Sequence, residues 1–324
     1  MNIRPARPET DIPGIAAVVN AFESPPVTLE IVQEWFTQTA PGRITQRLVA
    51  VDTQYEVIGY SVVFHAPWSP DFHFYVWVGV DPAWRGQGIG TALYAEAQTF
   101  LRGERATQLT SEILDNDPVA LAFAQRRGFT IDRHHFASVL DIGSFDETPY
   151  QSVIPTLEAA GIRFCSLADF QDTQEARQKL HAVNTITDQD IPGWEGPGLS
   201  FAEFEQWVCN SSWYRPDGQL IAIDGEEWVG MCTIQLRPET QGAYNVHTGV
   251  VRSHRGRKIA LALKLVAIRY ARTHGVQTLH TNNDSFNAPM LAINRKLGYR
   301  RQPGKYMLRD SNTHWHNLAK NAIL

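Results

Sequence analysis

Cysteine is scarce in this 324-residue chain: Cys165, Cys209 and Cys232 all lie in the second half, without metal-ligand spacing among them. An odd set with no paired framework excludes a disulfide scaffold and fits free thiols in a reducing compartment. An excess of positive charge is missing as well. The 29 Lys and Arg face 34 Asp and Glu, a formal net charge of −5, which argues against a general binder of nucleic acid or of membrane surfaces. No run approaches a membrane span, and the stretch from Met1 to Pro8 lacks the apolar centre of a signal peptide. His134-His135 and His314-Trp315-His316 have no acidic or cysteine partners at useful spacing, so no metal is expected. These absences leave a cytoplasmic globular protein whose partner is a small molecule, with no signal for oligomeric state.

What the chain has is a sentence said twice. Val80-Asp81-Pro82-Ala83-Trp84-Arg85-Gly86-Gln87-Gly88-Ile89-Gly90 returns as Val250-Val251-Arg252-Ser253-His254-Arg255-Gly256-Arg257-Lys258-Ile259-Ala260. Each copy ends an apolar strand-like run and opens a helical one, placing free backbone N–H groups where an anion could sit. Leu48-Val49-Ala50-Val51-Asp52 likewise returns as Leu220-Ile221-Ala222-Ile223-Asp224. From Arg85 to Arg255 and from Gly128 to Gly298 the spacing is the same 170 residues. Two homologous domains in tandem follow, 1–145 and 162–310, with a linker over 146–161 and a tail over 311–324.

Within the first half, three strands run from about Arg47 to Val51, Val57 to His65 and His73 to Val80, the last apolar on both faces. Ile89, Leu93, Ala97 and Phe100 recur at helical spacing after the glycine loop, and a helix from Pro118 to Arg127 stops at Gly128. A strand over His135 to Ile142 is expected to close the first domain. In the second half the helix after the loop is richer in apolar residues, which predicts burial on more than one side. About ten extra residues fall near Thr187 to Ser200, an acidic, aromatic loop with Asp188, Asp190, Trp194 and Glu195. These three acids are candidates to attract a cationic substrate.

At these residues the chain resembles the GNAT superfamily of acyl-CoA N-acyltransferases in its tandem form. The resemblance covers nearly the whole chain outside the linker and tail, and it is strongest from Val78 to Phe100. It implies an α/β (α+β) fold of two GNAT-like domains, each a mixed, mostly antiparallel sheet flanked by helices. It implies acetyl-CoA as acyl donor, with Val78 and Val80 along the pantetheine arm and Arg85, Gly86, Gln87, Gly88, Ile89 and Gly90 around the diphosphate. Glycine there removes the Cβ atoms that would block close approach. A second site would use Val250, Arg255, Gly256, Arg257, Lys258, Ile259, Ala260 and Asn287, although Lys258 stands where Gly88 does. That lysine is expected in right-handed helical geometry, still offering its N–H.

The family's usual tyrosine acid is replaced by Ala124 and Asn294, and neither copy has it. Glu112, sixteen residues before Gly128, lies where some relatives carry a carboxylate that prepares the amine, whereas the second copy has Asn282. Asp71, His73, Tyr75, Tyr244 and His247 are further candidates near the strand that leads to each loop. The expected activity is transfer of acetyl from acetyl-CoA to the primary amine of a small molecule, in the first domain. The alternative is a non-catalytic acyl-CoA-binding regulatory protein. A dinucleotide-dependent dehydrogenase fails because the glycine loop follows the third strand of each half, not the first.

Overall fold

The doubled sequence folds into two units, but the chain divides between them in a way that the repeat does not announce. The computed structural model describes residues 1–23, 26–37, 42–66, 69–193 and 198–310. Among the described residues, one unit comprises Met1–His134 with Lys305–Asp310, and the other His135–Gly304.

In the N-terminal unit the order is β1 (Asn2–Pro5), α1 (Pro8–Asn20), α2 (Leu29–Thr37), β2 (Ile44–Val51), β3 (Val57–His65), β4 (His73–Val80), α3 (Ile89–Gly103), β5 (Gln108–Leu114), α4 (Pro118–Gln125) and the start of β6 (Phe129–Asp141). Neighbouring strands from β1 to β4 pair antiparallel, whereas β4 and β5 run parallel. Alternation along β4 sends Phe74, Val76 and Val78 to the α3 side and Trp77 to the α1 side. Ile89, Leu93, Ala97 and Leu101 form the buried stripe of α3 at helical spacing. Asp117 starts α4 by accepting a hydrogen bond from Ala120 N at 2.9 Å, with Pro118 behind it where no N–H partner is needed.

The second unit continues with α5 (Val153–Ala159), β7 (Ile162–Ser166), α6 (Gln174–Asp188), α7 (Phe201–Phe204), β8 (Gln219–Asp224), β9 (Glu227–Arg237), β10 (Gly242–Val250), α8 (Ile259–Thr273), β11 (Thr278–Asp284), α9 (Ala288–Lys296) and the start of β12 (Arg300–Asp310). Its sheet repeats the first: β7 to β10 pair antiparallel and β10 runs parallel to β11.

Two expectations are corrected. The strand expected to close the first domain, from His135, instead pairs with β11 in the second unit, Asp284 opposite His135 and Thr278 opposite Asp141. The place beside β5 is taken by β12, with Lys305 opposite Leu114 and Arg309 opposite Thr110. An alternating strand specifies its faces but not its neighbour, so the exchange leaves no local mark. The boundary expected at 145 therefore falls at His134.

The segment expected as a linker over 146–161 also carries structure. Its Ile154 and Leu157 are buried in the same core as α8. This explains the composition of α8, in which Leu261, Leu263, Leu265 and Ile268 are all buried, since a helix covered on several sides cannot keep a polar face. Leu157→Ala should lower the unfolding free energy by about 2–4 kcal/mol in urea titrations. A change within about 0.5 kcal/mol, as for a solvated linker, would contradict this packing.

Candidate active site

Parallel pairing of β4 with β5 covers only His73, Phe74 and Tyr75, opposite Gln108, Leu109 and Thr110. Beyond Tyr75 the strands part, while β3 stays paired with β4 as far as Val80. The β5-side edge of β4 up to Val80 thus has no strand partner among the described residues, and it leads directly into the glycine loop. There Gly86 and Gly88 hold φ of +79° and +82°, and a Cβ at either would meet nothing within 4 Å. Such left-handed geometry favours glycine, and it turns the chain so that α3 begins at Ile89. The loop is an open cradle at a helix N-terminus, with the chemistry to receive an anion.

Arg85 Nη1 reaches Asp117 Oδ2 at 3.0 Å, and its guanidinium lies 5.1 Å from the centre of the Phe22 ring. Arg127, which no sequence motif singles out, donates to Thr91 Oγ1 at 2.9 Å in the first turn of α3 and stacks 3.3 Å over Phe123. On the α3 side the parted strands are lined by Val76, Val78, Ile113 and Phe123. Ala124, in the place of the family's acid, is buried in this core.

The α1 side is charged. Glu112 Oε1 lies 2.6 Å from Lys305 Nζ, which also meets both carboxylate oxygens of Glu23, at 2.7 and 3.0 Å. Burial, together with the charges of Glu112 and Glu23, pushes the Tyr75 phenol well above its ordinary value, so it stays protonated. Glu112 is therefore placed beside the parted strands, but as one arm of an ion-paired trio.

The second unit keeps this backbone and changes its lining. Gly256 copies Gly86 with φ of +77°, but Lys258 takes φ of +69°, which corrects the right-handed geometry expected for it. The cap before α8 imposes the conformation that Gly88 has before α3. Asp190 is not poised for a cationic substrate: its carboxylate accepts from Arg252 Nε at 2.9 Å and from Arg255 Nη2. Arg257 pairs with Asp224 at 3.0 Å, and Asn287 caps α9 by accepting from Met290 N at 3.3 Å. Glu195 lies outside the described residues, as do Trp194 and the tail from 311.

Asp188 closes α6 against β10. His247 Nε2 lies 2.8 Å from Thr187 Oγ1, and its Nδ1 lies 3.5 Å from Asp188 Oδ1. Gly249 permits this approach, because a Cβ there would stand 2.4 Å from Thr187 Cβ. Burial pushes Asp188 up to about 6 and His247 down to about 4, leaving the imidazole neutral near pH 7.

Where the first unit has Val76, Val78 and Tyr94, the second has Asn245, Thr248 and Lys264. Lys264 Nζ donates to Asn245 Oδ1 at 2.7 Å, Thr248 Oγ1 donates to the same atom at 3.0 Å, and Thr281 Oγ1 donates to Asn245 O at 3.2 Å. Asn245 also sits at a bulge in the pairing of β10 with β9. Polar side chains of the chain itself thus fill the region that is apolar in the first unit. His134 and His135, which the sequence left without acidic partners, lie 2.9 Å from Asp115 and Asp284 respectively.

The family model described as Acetyltransferase (GNAT) family matches the chain twice, over residues 15–129 and 181–299. A mycothiol acetyltransferase from Corynebacterium glutamicum (strain R) is 27% identical over 228 residues, covering 68% of this chain and 70% of that protein. Among solved structures, the GCN5-related N-acetyltransferase from Sphaerobacter thermophilus aligns with a TM-score of 0.65 and 20% identity, covering 95% of this chain and 94% of that one. A tandem GNAT protein from the clavulanic acid biosynthesis pathway aligns with a TM-score of 0.66 and 20% identity, covering 95% and 97%. At these identities the two structures establish the fold. No helix among the described residues is long and apolar enough to cross a membrane.

The interior of the second unit has a measurable signature. Burial pushes Lys264 from its ordinary 10.5 down to about 8. Below that lower value the folded protein carries the full cost of a buried ammonium. The cost is relieved as pH rises from about 8 to about 10.5, where the unfolded chain holds a proton that the folded one has lost. Lys264→Met removes this linkage, so the stability of the variant relative to wild type should fall across that range in urea unfolding. A difference independent of pH would contradict a buried, titrating lysine.

Proposed function

The chain belongs to the GNAT acetyltransferase family, and on that premise we propose that it moves acetyl from acetyl-CoA to the primary amine of a small molecule, with the thioester in the N-terminal unit. The observation that carries this reading is the parting of β4 from β5 directly ahead of an open glycine cradle. The backbone of Val78 and Val80 offers hydrogen-bonding groups to an extended amide-bearing arm, as a strand would. The N–H groups from Gly86 to Gly90 and the start of α3 take the diphosphate, and Arg85 and Arg127 add positive charge near it.

The amine arrives on the α1 side, where Glu112 and Glu23 favour a cation. Loss of a proton toward Glu112 leaves a neutral nitrogen, which attacks the thioester carbonyl carbon. The C–S bond then breaks while the attacking nitrogen sheds its surplus proton; an equivalent proton reaches the sulfur, so coenzyme A departs as the thiol and the nitrogen is left as a neutral amide. Val76, Val78 and Phe123 exclude water from the α3 side of the same gap. In the second loop Asp190 holds Arg252 and Arg255, so both arginines are engaged before any ligand arrives. Its site therefore differs from the first in chemistry, despite the shared backbone.

Incubation with acetyl-CoA and a panel of primary amines should release free thiol with at least one of them. No release from protein that binds acetyl-CoA would count against the transfer reaction. Calorimetry should find one acetyl-CoA per chain. Gly88→Trp, which forces a large side chain into the left-handed cradle, should abolish that binding, and an unchanged affinity would remove the coenzyme from this loop.

A further inference from the structure

We propose that Lys305, delivered by β12, sets the number of positive charges that the acceptor may bring. This rests on the reading that the amine enters on the α1 side of the parted strands. Three observations lead to it. Lys305 Nζ is engaged by Glu23 at 2.7 and 3.0 Å and by Glu112 at 2.6 Å, which uses all three of its donors. Glu112 lies two residues beyond Thr110, the last β5 residue paired to β4, so it stands level with Trp77 where the gap opens. The Phe22 ring, next to Glu23, packs edge-on against Trp77 at 5.5 Å and also lies under Arg85, so the trio borders the same gap as the coenzyme loop.

Charge counting then gives the specificity. Two carboxylates and one internal ammonium leave a single net negative charge. Glu112 Oε2 has no partner among the described residues, so one further ammonium can be paired, and a second cannot. Lys305 occupies the place that the far ammonium of a diamine would take. It is a specificity-determining residue, acting by exclusion of a like charge as well as by holding Glu112 in place. The residue it serves is 193 positions away in sequence, which makes the exchanged strand part of the site and not only an edge cover.

The test uses the full chain loaded with coenzyme A and titrates it with 1-aminobutane and 1,4-diaminobutane. Wild type should bind the two within about threefold of each other, and Lys305→Met should shift the ratio toward the diamine by about tenfold, since its second ammonium takes the vacated place. Lys305→Arg should keep the wild-type ratio. A Lys305→Met protein that retains coenzyme binding, with a ratio within about twofold of wild type, would overturn the proposal. Should that variant fail to bind coenzyme, Glu23→Gln decides: about tenfold weaker binding of 1-aminobutane with coenzyme affinity intact is the expected result, and unchanged binding overturns the proposal. Wild-type protein that binds neither amine would also overturn it. If the charge rule holds while thiol release is absent, the transfer reaction fails and the specificity role of Lys305 stands.

Discussion

The proposed chemistry depends on one constraint, an unpaired strand edge. Two parallel strands that stay together for three residues and then separate leave β4 with backbone donors and acceptors facing a gap. Such groups must find partners in water, in side chains or in a ligand, because leaving them dry is costly. The surrounding structure fixes this arrangement: β3 holds the other edge of β4 as far as Val80, and α3 packs its stripe beneath. The gap therefore persists as a preformed feature, and a ligand need not open it.

The two units answer the same constraint in opposite ways. In the first, the gap is lined by apolar side chains on one side and by a Glu–Lys–Glu trio on the other, and its glycine loop is open. In the second, Thr281, Thr248, Asn245 and Lys264 bond one another across the equivalent region, and Asp190 engages the loop arginines. A repeated backbone has thus diverged by exchanging the partners of its exposed groups. The His247–Thr187–Asp188 contacts belong to this second solution, in which buried polar groups satisfy one another at the expense of shifted protonation.

Local features were legible from the residues alone. The glycine spacing, the proline-led start of α4 and the stripe of α3 all depend on neighbours within a turn or two, and they sit where the periodicity placed them, except that Leu101 and not Phe100 completes the buried stripe. Partners brought from far along the chain were not legible. Lys305 reads as an ordinary strand lysine, and nothing near it identifies Glu112 or Glu23. Asp190 reads as a surface acid in an acidic loop, although its arginines lie some 60 residues away. Two signals could have been used. A lysine between Leu263 and Leu265 in an otherwise apolar helix points to a buried polar network. Ile154 and Leu157, three apart in a Pro- and Ser-bearing stretch, mark the inner face of a short helix.

On the proposed reading the first gap is open to acyl-CoA and the second is closed by its own side chains. Amide hydrogen exchange with and without acetyl-CoA tests it residue by residue. New protection is expected at Val78, Val80 and Gly88 through Gly90, with none at Thr248, Val250 or Lys258 through Ala260. Protection confined to the second set would contradict it.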